Sequence, residues 1–135
     1  MEDEYIVGFY LDNKDYQFCV KFQNNHIYNL NTKLITSCSI IELPGKKVYS
    51  GASLKNPKDI SNVWEGRRWA LKRAVFHLWM IWTDLKKTSI SWNPFWQLFR
   101  QSLAKNKNYL SDRKEHKYGW RIKYYYSLWS FIYNE

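Results

Sequence analysis

Apolar and polar positions change their period near residue 60. Before it the runs are short and alternating. Residues 4–11 (EYIVGFYL) are rich in β-branched and aromatic side chains and read as a strand. A turn cluster, Asp12-Asn13-Lys14-Asp15, leads into residues 16–22, where Tyr16, Phe18, Val20 and Phe22 share one side of a second strand. Residues 23–25 turn again, and residues 26–30 extend or form a further strand. Residues 34–43 (LITSCSIIEL) are a strand, Pro44-Gly45-Lys46 a hairpin turn, and residues 47–52 the returning strand. The pattern predicts an antiparallel meander of about four strands over residues 4–53.

After residue 60 the period becomes helical. Over residues 61–87, Val63, Arg67, Ala70, Ala74, Leu78, Ile81 and Leu85 fall on one face at about 100° per residue. Leu71, Val75 and Trp82 widen that stripe. Asp59 or Ser61 suits the N-terminal cap, and Lys86 and Lys87 suit the C-terminal end of the dipole. Gly66 interrupts the pattern. A mid-helix glycine costs roughly 1 kcal/mol against alanine, so close packing on the sheet, or close approach of a ligand, must account for it. The opposite face carries Glu65, Arg68, Trp69, Lys72, Phe76, Trp79 and Thr83. Aromatics at helical spacing do not belong on a solvated face. Either the C-terminal segment of the same chain covers them or a partner does.

A second helix opens at Asn93-Pro94, with Asn93 as cap and Pro94 at the first helical position. Phe95, Leu98, Phe99, Ser102 and Leu103 form its apolar side, and residues 105–108 end it. Residues 118–133 (YGWRIKYYYSLWSFIY) fit both periods, and a helix from about Lys123 is the reading adopted. The expected fold is α+β, in one domain over residues 1–135: a sheet, a long helix, then a basic aromatic helical region.

Charge sharpens the division. Residues 1–60 hold seven lysines against seven acids, so the later part carries the whole net charge of +9, together with every arginine and every tryptophan. A basic half argues for an acidic partner: a protein surface, a nucleic acid or a nucleotide. Eight Trp and eleven Tyr exceed what a small core needs, which places some of them at interfaces. Homo-oligomer formation stays open.

Catalytic patterns are absent from the sequence. The five glycines are scattered, no serine sits in a nucleophile elbow, and His26, His77 and His116 have no metal-ligand spacing. His77 reads as a satisfied core histidine. Cys19 and Cys38 read as reduced and buried. No stretch reaches the roughly 18 apolar residues of a membrane span, and the start MEDEYIV lacks a signal-peptide core, so a cytoplasmic protein is expected. No enzyme, metal or cofactor is expected. The densest cationic group is Arg67, Arg68, Lys72 and Arg73, interleaved with Trp69 and followed by Trp79. Arg67 points along the core stripe, where a charge needs a partner, and suits an anion or phosphate.

Within residues 49–74, Gly51-Ala52 ends a hairpin strand and Pro57-x-Asp59 makes a turn. A helix then begins with Gly66-Arg67 and continues as Ala70-Leu71-x-Arg73-Ala74. This arrangement resembles one in small accessory proteins of bacterial viruses. The resemblance implies a sheet-plus-helices protein that interferes with a host system, acting in the host cytoplasm. Some such proteins block a CRISPR effector and others sequester a nucleotide immune signal. The expected function is therefore a non-enzymatic, viral or mobile-element binding protein that inhibits host defence through its basic aromatic surface. Nucleic-acid binding is the alternative, and a nucleotide sponge clamping phosphates with Arg67 and Arg68 is a further one.

Overall fold

The computed structural model describes residues 2–27, 33–55 and 63–109. It is an α+β arrangement. Strands β1 (Glu2–Leu11), β2 (Lys14–Ile27), β3 (Lys33–Leu43) and β4 (Lys47–Lys55) form one antiparallel sheet in chain order. Helix α1 (Val63–Asp84) packs across β3 and β4, and α2 (Trp92–Ala104) lies beside β1.

The alternation read from the sequence decides which sheet face meets the helices. Tyr5, Val7, Phe9, Phe18, Val20, Phe22, Cys38, Ile40 and Tyr49 are all buried on the helix side. The β1–β2 turn is two residues long, with Asp12 at φ 52° and Asn13 at φ 65°. Positive φ at both positions matches the right-handed twist of the strands it joins. Trp82 fills the centre of the core. Its ring lies 4.6 Å from Tyr16, 5.8 Å from Phe18 and 6.1 Å from Phe95, centroid to centroid. Its indole N–H donates to Glu42 Oε1 at 3.1 Å, so the polar tip is satisfied.

Two glycines set how closely α1 sits. A Cβ on Gly51 would come within 2.4 Å of both the Ala70 carbonyl oxygen and the Ala74 amide nitrogen. Strand and helix backbones touch there, and the facing residues are alanines. A Cβ on Gly66 would meet Thr36 Oγ1 at 2.9 Å. The sheet packing expected for Gly66 is thus observed.

Several boundaries differ from expectation. Residues 23–25 are not a turn; β2 runs on to Ile27, paired with β3 throughout. The polar run is tolerated because Thr36 donates to Asn24 Oδ1 at 2.9 Å, which satisfies both under the first turn of α1. Strand β4 likewise reaches Lys55. Helix α1 ends at Asp84, not at residue 87. Lys86 adopts φ 57°, and the amides of Lys86 and Lys87 return to the carbonyls of Thr83 and Trp82, a closing pair that stops the helix. The N-cap position of α2 is Ser91, not Asn93, and the Ser91 side chain makes no capping bond. Pro94 then sits third in the helix, where its missing N–H costs nothing because first-turn amides have no intrahelical acceptor. The buried face of α2 includes Trp96, Arg100 and Ala104, while Leu98 and Ser102 are only half-buried. The expected caps at Asp59 and Ser61, and the ambiguous segment 118–133, lie outside the described residues.

Cys19 and Cys38 are both buried free thiols. Burial pushes the Cys38 thiol far above its ordinary value, against a smaller downward pull from the Arg67 guanidinium. No helix among the described residues is long and apolar enough to cross a membrane.

Two expectations follow from this packing. Gly51→Ala should lower stability by roughly 3 kcal/mol, the upper part of the overpacking range, because the obstruction is helix backbone. Gly8→Ala, where an added Cβ meets nothing within 4 Å, should be neutral or stabilising. Thermal melts of both variants test this, and equal effects would refute the contact at Gly51. Separately, a thiol reagent should modify Cys38 no faster than the protein unfolds; fast labelling of the native protein would show the site is open.

Candidate functional site on the outer face of helix α1

Residues three and four apart on a helix are surface neighbours. Arg68, Lys72 and Arg73 therefore gather around Trp69, which stands at i+1, i−3 and i−4 to them. The Arg68 guanidinium carbon lies 5.6 Å from the Trp69 ring centroid, Lys72 Nζ 5.6 Å and the Arg73 guanidinium carbon 5.8 Å. The indole is 41% exposed. About two and three turns further along the same face, Phe76 and Met80 are also exposed, at 40% and 48%. The result is an apolar stripe with a cationic head. Cations gathered on a π face offer binding to an anionic partner, and Glu65, one turn before Trp69, adds a carboxylate to the same face.

The sequence placed six residues in the candidate site, and the structure sorts them. Arg68, Trp69, Lys72 and Arg73 come together. Arg73 also donates from its guanidinium to the Ala52 carbonyl at 2.6 Å, so it grips the outer edge of β4 as well as the indole. Trp79 belongs to a neighbouring group. It is half-buried, its indole N–H donates to the Ile90 carbonyl at 2.9 Å, and its ring lies 5.7 Å from Trp92. Trp92 in turn stacks on Trp96 at 5.8 Å. The connection between α1 and α2 thus covers Trp79. The C-terminal segment expected to do so lies outside the described residues.

Arg67 is separated from the others. It is 3% exposed, on the sheet side of α1, ion-paired with Asp3 and seated 5.1 Å from the centroid of Phe22. The charge that needed a partner finds one in the first strand. His77 is not a core histidine. It is exposed, its Nδ1 accepts from the Ser50 amide at 3.3 Å, and its ring meets Tyr49 edge-on.

Two features of the site were missed in the sequence. Trp92 precedes the expected helix start at Asn93, yet it is the first helical residue of α2 and bridges Trp79 to Trp96. Arg100, which the sequence reading did not single out, is buried with its guanidinium carbon 5.1 Å from the Trp96 centroid. The spacing Trp96–Arg100, four residues apart, was the available signal.

Among the described residues no group of three or more His, Cys, Asp or Glu is placed to hold a metal ion. No protein-family profile, curated protein or solved structure matches this chain.

The Arg67–Asp3 tie should be structural. Asp3→Ala is expected to cost roughly 1.5–3 kcal/mol, the range for a hydrogen bond to a charged group, and Arg67→Met combined with Asp3→Ala should cost less than the sum of the two single changes. A double-mutant cycle by chemical denaturation measures this; strict additivity would mean the pair does not interact in solution.

Proposed function

We propose that this chain is a non-enzymatic binding protein that inhibits a host defence effector, such as a CRISPR effector, by laying the outer face of α1 on an acidic surface of that effector. The carrying observation is the half-exposed Trp69 within reach of three cations, continued by exposed Phe76 and Met80. Aromatic, methionine and arginine side chains are enriched at protein interface cores, and buried tryptophans are frequent energetic anchors. The defence setting comes from the resemblance over residues 49–74. It places the protein in the cytoplasm of a host cell, as the product of a virus or mobile element.

Nucleic-acid binding draws support from the same cluster, since an aromatic flanked by cations stacks bases and meets phosphates. A nucleotide sponge draws less, because Arg67, half of the phosphate clamp it needs, is turned inward to Asp3.

The test is capture of partners from host lysate with the intact chain, then affinity and melting measurements on variants. Trp69→Ala should weaken effector binding by more than 2 kcal/mol, as anchors do, with melting changed by at most a few degrees. Arg68→Glu with Lys72→Glu should act in the same sense, because reversed charges oppose an acidic surface. Binding that instead collapses with salt on every nucleic acid tried would favour the alternative. Lower melting with unchanged effector affinity would sink the interface reading.

A further inference from the structure

The two outer edges of the sheet are finished differently. At β4 the outward-facing groups of Ser50 and Ala52 are occupied: the Ser50 N–H by His77 Nδ1 at 3.3 Å and the Ala52 carbonyl by Arg73 at 2.6 Å. At β1 the direction of the backbone follows from the hairpin. Leu11 pairs with Lys14 across a two-residue turn, so the odd-numbered residues of β1 bond to β2 and the even-numbered ones face outward. The Ile6 carbonyl, which accepts from Asn106 Nδ2 at 2.9 Å beyond the sheet, agrees with this parity. Gly8 and Tyr10 are the next two outward positions. Among the described residues nothing bonds to their outward backbone groups.

Space matches the open groups. A cleft of about 630 Å³ reaches this edge, with Gly8 and Tyr10 of β1, Asp15 of β2 and Leu43 of β3 on the sheet side and Leu98 and Lys105 on the α2 side, so that it holds one acid and one cation. A Cβ on Gly8 would meet nothing within 4 Å. Glycine inside a strand weakens it, and commonly marks a place where another backbone comes close. An uncapped edge flanked by a helix and a cleft is the geometry of strand addition, in which main-chain bonds supply affinity and side-chain contacts supply selectivity. Lys105 is exposed at the α2 wall, with Lys107 near it.

We propose that this cleft receives an extended peptide segment of a partner protein, which adds to β1 as a fifth strand and brings an acidic side chain to Lys105. Asn106 closes the groove at the Ile6 end by taking that carbonyl itself. This surface is separate from the outer face of α1, so either can fail without the other.

The test uses the intact chain and a phage-displayed library of random dodecapeptides. Selected peptides should carry an acidic residue at a fixed place. They should shift the amide resonances of Gly8, Tyr10 and Lys105 in a nitrogen-edited NMR titration, and leave those of Trp69 and Phe76 in place. Gly8→Pro removes the outward N–H without touching the ladder to β2, and should weaken the peptides at least tenfold. Lys105→Glu should weaken acidic peptides about tenfold and leave melting unchanged; it decides the matter if Gly8→Pro does not fold. No enrichment over an empty-phage control overturns the proposal. So do peptides that map to α1, equal binding by a folded variant, or a single-stranded RNA that moves these resonances when the peptides do not.

Discussion

Contact between the backbone of β4 and the backbone of α1 at Gly51 governs the rest of the molecule. With Ala70 and Ala74 over that glycine, the helix has one height and one rotation available. Leu71, Val75, Leu78 and Trp82 are then carried over the sheet into the core, each stabilising by about 1.5–3 kcal/mol when fully buried. Arg68, Trp69, Lys72 and Phe76 are turned away from it. Arg73 and His77 come down beside β4, near enough to occupy its edge. Burial, edge protection and the exposed aromatic stripe are consequences of one close approach.

The same seating brings partners to several polar groups inside the helix–sheet layer. Under the first turn of α1, Ser53 donates to the Gly66 carbonyl at 2.8 Å and Thr36 to Asn24. At the other end Glu42 accepts from Trp82 and lies 3.7 Å from Lys87 Nζ. A buried charge is tolerable only when paired, and Arg67 is ion-paired with Asp3 in the first strand through one guanidinium nitrogen. The sheet is therefore tied to α1 by polar contacts at both ends and by apolar packing between them.

Much of this was legible in the sequence. Alternation over Tyr16 to Phe22 and the helical stripe through Ala70, Ala74 and Leu78 each reflect a buried face, and burial is what hydrophobic periodicity reports. Boundaries were read less well where a polar side chain is satisfied by a neighbour that only the fold supplies. Asn24 resembles a turn residue until Thr36 is seen opposite it. Lys86 resembles a helix-ending cation, yet it is itself the residue in left-handed conformation that stops the helix. The candidate site was half legible. Spacing alone brings Arg68, Lys72 and Arg73 to Trp69, because all four belong to one helix. The fates of Arg67 and Trp79 depend on Asp3 and on Ile90 with Trp92, which are distant in sequence or in a different element.

Net charge was the strongest signal for a binding function, and the structure changes its weight. Several cations that make the second half basic already serve the fold. Arg67 is held by Asp3, Arg73 by the Ala52 carbonyl, Lys87 by Glu42 and the face of Trp82, and Arg100 lies over Trp96. A sum of charges counts all of these as available to a partner. What distinguishes the outer face of α1 is arrangement: a tryptophan and a phenylalanine left partly in water on a helix whose Trp82 is fully packed. Desolvating that ring gains apolar burial, while its cations reward a carboxylate or phosphate brought beside it. An acidic surface with an apolar recess satisfies both demands at once, and an acidic surface without one satisfies only the second. That difference is the reason the proposed partner is a shaped protein surface rather than a uniformly charged polymer.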